Sequence, residues 1–326
     1  MIRIGVIGVG SMGQNHARVY ADCENAELVA VADPQPEQLQ RVAHKFNAVP
    51  YQSYLEMLEK ENLDAVSISV PTSLHKKVAI EALSRGKHVL LEKPIAETEE
   101  EAREIIDCAK INNVKLMIGH IERFNPAILH LKELLEQGEL GEIYKIDVQR
   151  IGPFPSRIAD VGVIIDLSVH DLDIINYLTD KKPCRVYAEV QQKLHPSHED
   201  SVTALLSYDD EMLAVLNVNY LSPTKIRQLK IFGKRGMFSV DYLSQELCFF
   251  ENHSFKSENW ESVSEGDMKK IHLPKKEPLK AEIEAFLKSI EEDSQPPVSG
   301  EQGLLALQTA NHIILSAKER SIVRVL

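Results

Sequence analysis

Ile2-Arg3-Ile4-Gly5-Val6-Ile7-Gly8-Val9-Gly10-Ser11-Met12-Gly13 decides the fold. A short aliphatic run, enough for one buried strand, passes directly into Gly8-x-Gly10-x-x-Gly13, and a helical pattern leaves from about Met12. In that setting each glycine has a task. Gly8 permits a tight turn, Gly10 lets a pyrophosphate approach the backbone, and Gly13 lets helix and strand pack closely. Ser11 and Met12 open the helix, where free N–H groups and the helix dipole favour an anion. Asp33 closes the next strand-like run, 20 residues after Gly13, where a carboxylate can bind both hydroxyls of an adenosine ribose. That carboxylate would repel a 2′-phosphate, and neither Pro34 nor Gln35 brings a compensating cation. The expected cofactor is therefore NAD rather than NADP.

Further along, short aliphatic runs at 28–32, 65–70, 88–91 and 115–118 alternate with helical stretches near 12–23, 37–46, 53–60, 74–85 and 98–112. The last of these opens on Thr98-Glu99-Glu100-Glu101, a capping box. Such alternation implies a parallel sheet with helices on both faces. After Gly119 the pattern changes. Asn125-Pro126 begins a helix, Gly138 ends it, and beyond Glu142 strands dominate. Runs 201–208 and 212–220 flank Asp209-Asp210-Glu211 as a hairpin, and 227–232, 237–242 and 247–250 continue the sheet. A helix over about 167–178 comes early in this half. Two more, near 279–292 and 301–317, precede a final strand-like 321–326, and the polar stretch 251–276 reads as a long loop. The expected fold class is α/β: an N-terminal Rossmann doubly wound parallel sheet over 1–120, then a C-terminal α+β domain with a large, mainly antiparallel open sheet over 121–326.

Bulk properties bound the function. A chain of 326 residues exceeds what one core usually holds, which agrees with two domains. The net charge of −12 disfavours nucleic acid and anionic membranes as partners. No apolar run approaches the roughly 18–20 residues of a spanning helix. With a strand-like segment starting at Ile2, no signal peptide is expected. Cys23, Cys108, Cys184 and Cys248 form no CxxC pair and read as small buried residues in a reducing compartment, so a cytoplasmic location is expected.

Two later motifs bring chemistry. Glu92-Lys93-Pro94 follows the fourth strand at its carboxyl end, where open parallel sheets bind ligands. Asp166 and His170, four apart at the start of a helix, fall on one helical face. Taken with the glycine motif, Val70-Pro71-Thr72 with His75, and the tail from Ser299-Gly300-Glu301, the chain resembles the glucose-fructose oxidoreductase/inositol dehydrogenase (Gfo/Idh/MocA) family over nearly its whole length. The resemblance implies that His170 removes the proton of a secondary alcohol while hydride passes to the nicotinamide. Histidine suits that task because its unperturbed pKa lies near neutrality. It implies further that Asp166 binds sugar hydroxyls and that Lys93 stabilises developing alkoxide charge while touching the nicotinamide ribose. In the family the Lys-Pro bond is often cis. Pro71, Thr72, His75 and Glu92 are expected near the cofactor. The cluster His195-Pro-Ser-His198-Glu199-Asp200 suggests a solvated loop rather than a metal site.

The substrate is less legible. Residues 119–126 and 150–157 look like the branch of the family that oxidises UDP-N-acetylglucosamine at C3. A diphosphate needs cations, and Arg123, Arg150 and Arg157 could supply them as bidentate donors or could equally serve in salt bridges. A free-sugar or inositol dehydrogenase with the same catalytic pair is the alternative, and a noncatalytic NAD-binding sensor or scaffold is the alternative of another class. An open sheet with one uncovered face, together with the resemblance, points to a homodimer or homotetramer.

Overall fold

The computed structural model describes residues 1–155, 161–256 and 261–325. The chain forms two compact units, 1–121 with 277–307, and 122–276 with 308–326.

In the first unit the strands β1 (Ile2–Ile7), β2 (Ala26–Ala32), β3 (Val49–Tyr51), β4 (Ala65–Ile68), β5 (His88–Glu92) and β6 (Leu116–Gly119) lie in the order β3-β2-β1-β4-β5-β6. All are parallel, because the connections are helical crossovers: α1 (Ser11–Asp22), α2 (Pro36–Phe46), α3 (Tyr54–Lys60), α4 (His75–Ser84) and α5 (Glu99–Ile111). The order reverses between β1 and β4, which makes the crevice at their carboxyl ends the ligand site of a doubly wound sheet. β4 is buried along its length, which explains its unbroken small and aliphatic run. Thr98 caps α5 by accepting the Glu101 N–H at 3.2 Å, as its sequence suggests. β3 escapes the sequence reading. It is three residues long, contains Pro50 and lies at the sheet edge, so periodicity has nothing to register.

The second unit contains α6 (Pro126–Glu136), β7 (Ile143–Pro153), α7 (Val169–Thr179), β8 (Arg185–Gln191), β9 (Ser201–Ser207), β10 (Leu213–Asn219), β11 (Leu221–Gly233), β12 (Gly236–Asp241), β13 (Glu246–Lys256) and β14 (Glu261–Ile271). With the terminal β15 (Val323–Arg324) these strands form one sheet, ordered β14-β13-β12-β11-β7-β10-β9-β8-β15. Every pairing is antiparallel except β7 with β10. One face carries the core, where Val148, Leu216, Leu229 and Val240 meet Leu131, Leu172 and Ile175 of the helices. The other face shows Tyr187, Leu205, Leu213, Phe250 and Met268 to solvent. The stretch 251–276 is no long loop. Most of it continues β13 and forms β14, and its polar composition reflects an edge position, where charge discourages further pairing.

Residues 277–307, expected in the second domain, return to the first unit. The helix α8 (Pro278–Glu291) buries Leu279, Ile283, Phe286 and Leu287, and Glu277 pairs with Arg18 of α1. The first part of α9 (Gly300–Glu319) presses close to β6 and α5. A Cβ on Gly303 would lie 2.8 Å from Ile118, and one on Gly300 would lie 2.6 Å from Ile106. The Ile118 N–H donates to Val298 O at 3.1 Å. Amphipathic pattern shows that a helix buries a face but not which unit receives it, so the sequence boundary falls short.

Candidate functional site

In the first unit the three glycines divide the work as their order suggests. Gly8 adopts φ +81°, and a Cβ there would meet Ser69 O at 2.6 Å. A Cβ on Gly13 would sit 1.8 Å from Gly8 O, so the helix can approach the loop only without a side chain. Gly10 differs: its nearest neighbour would be the Gln38 amide at 4.0 Å, which leaves open space over the backbone. From Gly10 the chain enters α1 with no side-chain cap and no acid in the first turn, so the amides of Ser11, Met12 and Gly13 begin a helix suited to an anion.

Beside this loop lies a cavity of about 570 Å³ whose lining includes Gly8, Gly10, Asp33, Gln38, Ser69 and Pro71. Asp33 is almost fully buried. Its Oδ2 accepts the Val9 N–H at 2.9 Å and its Oδ1 accepts the Gln35 N–H at 2.8 Å. Two backbone amides thus fix the carboxylate while lone pairs remain on both oxygens for a ribose diol. Among the described residues lining the cavity there is no lysine or arginine to meet a 2′-phosphate. The open Gly10 backbone, uncapped helix and oriented Asp33 fit NAD.

Thr72 begins a short 3₁₀ turn before α4, and His75 opens the helix itself. His75 is buried, with Nδ1 2.8 Å from Pro94 O and Nε2 3.0 Å from Val70 O. It ties the ends of β4 and β5 together instead of lining the cavity. Burial lowers its pKa, and the two carbonyls only partly oppose that shift. The Lys93–Pro94 bond is cis. Glu92, nearly fully buried, accepts the Lys93 N–H on Oε2 at 3.2 Å and faces His16 Nε2 with Oε1 at 3.0 Å. Burial works against its ionisation, but the hydrogen bond and charge of His16, with the charge of Lys93, pull its pKa below the ordinary carboxylate value. Sequence reasoning missed His16. The signal was present: it interrupts the buried stripe Gly13, Ala17, Tyr20 of α1 with an imidazole, which requires polar partners inside.

In the second unit Asp166 lies in a π-helical turn, Ile164–Ser168, that widens the start of α7, rather than in the regular helix expected. Its N–H donates to Gly162 O at 3.0 Å, and Tyr220 Oη donates to its Oδ2 at 2.5 Å. Half-buried His170 is the second residue of α7. Arg123 and Arg150 do not offer free guanidinium groups to a diphosphate. Arg123 donates from Nε and Nη2 to Asp173 at 2.7 and 2.6 Å, with its side chain 4% exposed. Arg150, 2% exposed, donates from Nε and Nη2 to Asp171 at 2.7 and 3.0 Å and from Nη1 to Glu122 at 2.9 Å. They take the salt-bridge role that the sequence left open. Arg157 lies outside the described residues. Arg227, which sequence reasoning also missed, pairs with Arg150 across β11 and β7 and reaches the surface, its Nη1 3.5 Å from Glu122. Burial, then the neighbouring Arg150, lowers its pKa.

The segment 195–200 is a hydrogen-bonded turn anchored by buried His195 and Asp200, with Pro196 and Ser197 exposed to solvent as the loop reading expected. Asp200 Oδ2 accepts the N–H groups of Lys193, Leu194 and His195, while His195 Nδ1 accepts those of Ser197 and His198 at 3.1 and 2.9 Å. Among the described residues no group of three or more His, Cys, Asp or Glu is arranged to hold a metal, and no helix is long and apolar enough to cross a membrane.

Comparison with known proteins matches residues 2–120 to the GFO/IDH/MocA oxidoreductase family model, described as an NAD-binding Rossmann fold, and 128–239 to the GFO/IDH/MocA C-terminal domain. The chain is 34% identical over 289 residues to the UDP-N-acetylglucosamine 3-dehydrogenase of Acidithiobacillus ferrooxidans, covering 89% of this chain and 88% of that protein. A crystal structure of that enzyme superposes with a TM-score of 0.87 at 32% identity, covering 98% of each chain. The WlbA dehydrogenase of Bordetella pertussis, solved with NADH and UDP-GlcNAcA, shares the fold at TM-score 0.84 and 24% identity over 100% of this chain and 99% of that one.

Proposed function

Because the chain belongs to the GFO/IDH/MocA family and is an NAD-dependent dehydrogenase, we propose that its substrate is a nucleotide sugar, UDP-N-acetylglucosamine, oxidised at C3 to the ketone. The observation that carries this reading is the near-full-length similarity to the Acidithiobacillus enzyme of that name. Bound NAD supplies the hydride acceptor. The chain's own residues do the rest. The glycine loop and Asp33 hold the dinucleotide, and Asp166, oriented by Tyr220, accepts hydrogen bonds from sugar hydroxyls. His170 takes the hydroxyl proton as general base, and the Lys93 ammonium stabilises the developing alkoxide.

One observation favours the alternative of an uncharged polyol: two arginines available to a diphosphate in sequence are committed to buried carboxylates. The deciding assay offers NAD with UDP-N-acetylglucosamine, other UDP-sugars, free glucose and myo-inositol, coupled to removal of the ketone because the oxidation is uphill at neutral pH. Turnover of UDP-N-acetylglucosamine supports the proposal; turnover of myo-inositol or glucose alone refutes it. His170→Ala should lower kcat far more than NAD affinity. We also propose a cytoplasmic homodimer or homotetramer in which self-association covers the apolar sheet face at Leu205, Leu213 and Phe250. A monomer by light scattering at micromolar concentration would contradict that assembly.

A further inference from the structure

A residue on the hidden side of α1 ties the glycine loop to Lys93. His16 is completely buried. Its Nδ1 lies 2.7 Å from Ser67 Oγ and its Nε2 3.0 Å from Glu92 Oε1. The other Glu92 oxygen accepts the Lys93 N–H. Gly119, paired with Glu92 across β5 and β6, leaves room for this carboxylate, since a Cβ there would lie 3.3 Å from Glu92 Cδ and Oε1. From the other side, His75 faces the carbonyl oxygen of Pro94 at 2.8 Å.

The direction of the bond to Glu92 follows from chemistry. An ionised Glu92 only accepts, so His16 must carry a proton on Nε2 and donate it there, while its Nδ1 meets the Ser67 hydroxyl, a group able to donate or to accept. The chain links Ser67, His16 and Glu92, while the Lys93 amide donates to the same carboxylate. A purely apolar residue at 16 would fill space but leave a buried carboxylate short of a donor.

We propose that His16 is a positioning residue for the dehydrogenation: through Glu92 it fixes the Lys93 backbone, and so the root of the ammonium-bearing side chain, on the same scaffold as the glycine loop. This rests on the reading of Lys93 as the group that stabilises the alkoxide. Two variants of similar size separate the role from packing. In His16→Gln the amide nitrogen falls near the place of Nε2 and still reaches Glu92. In His16→Asn the polar atoms fall near Nδ1, reaching Ser67 but not Glu92.

The experiment compares both variants and Lys93→Ala by NADH fluorescence titration, thermal midpoint, and kcat and KM with UDP-N-acetylglucosamine or the sugar that the substrate panel identifies. Misplacement of a catalytic group by about 1 Å can cost on the order of 10²-fold, so His16→Asn should lose kcat on that scale with NADH affinity little changed. His16→Gln should recover most of the loss. Equal kcat in the two variants, tracking a common fall in thermal midpoint, overturns the proposal in favour of packing. If Lys93→Ala keeps wild-type kcat, the underlying reading of Lys93 fails and this proposal fails with it; Lys93→Ala inactive beside a fully active His16→Asn sinks this proposal alone. In the ligand-free protein, ¹⁵N shifts of the His16 ring should report a protonated Nε2. A neutral ring protonated on Nδ1 breaks the argument at its first step.

Discussion

Replacing Arg150 with methionine distinguishes a buried ion pair from a substrate contact. The guanidinium is 2% exposed and supplies three hydrogen bonds, two to Asp171 and one to Glu122. Methionine fills much of the space but leaves both carboxylates without their main cation. Even with Arg150 present, burial holds the Asp171 pKa above its ordinary value. Removing one partner of such a pair costs about 3–5 kcal/mol. At roughly 2–4 °C per kcal/mol for a unit of this size, the midpoint of the second unit's unfolding should fall by about 6–20 °C. The pH dependence has a definite sign. Without Arg150 the folded-state pKa of Asp171 rises further above its unfolded value of 3.8. A group so raised contributes its stability below the unfolded pKa and loses it as pH rises through the folded one. The deficit relative to wild type should therefore widen from acid to neutral pH. Calorimetry from pH 5 to 8, beside KM for UDP-N-acetylglucosamine, makes the comparison. A midpoint within about 2 °C of wild type, far short of a broken buried pair, together with a large rise in KM would refute the structural role and restore Arg150 as a diphosphate ligand.

Further outcomes follow from the first unit. Gly13→Ala places a Cβ 1.8 Å from Gly8 O; it should cost at least about 1–3 kcal/mol in urea unfolding and weaken NADH binding, whereas Gly10→Ala should unfold normally and still bind NADH poorly. Asp33→Ser should narrow the preference for NAD over NADP in paired titrations, chiefly by weakening NAD; unchanged NAD affinity would remove Asp33 from the ribose. Because His75 has its pKa lowered from 6.5, the unfolded chain binds its proton first, and stability is lost as pH falls below about 6.5. Thermal midpoints between pH 7 and 5 should decline less in His75→Gln than in wild type.

The elements most legible in the sequence were those with local causes. Gly8, Gly10 and Gly13 each carry a backbone requirement that spacing alone reveals, and Thr98 and Asn125 cap the helices they precede, Asn125 accepting the Ala127 N–H at 3.1 Å. What stayed hidden depends on partners distant in sequence. Nothing near Arg150 in the chain announces that Asp171 and Glu122 will neutralise it, and nothing near residue 278 says that α8 will pack on α1. His16 shows the middle case: its helical stripe predicts burial, but Glu92, 76 positions away, is needed to give the burial a meaning. β14 was lost for another reason, since an edge strand keeps polar residues that erase the apolar alternation.

The discontinuity of the first unit has a consequence for how the protein is made. Residues 1–121 leave the ribosome with Leu116 and Ile118 of β6 and Ile106 of α5 still lacking the glycine-bearing start of α9 that seals them, and α1 still lacking α8. All of 122–276 must be synthesised before those seals arrive. Through that interval the nascent nucleotide domain carries uncovered apolar surface, a natural substrate for holding chaperones. By the same logic, a fragment cut after residue 121 should aggregate rather than serve as an isolated cofactor-binding module.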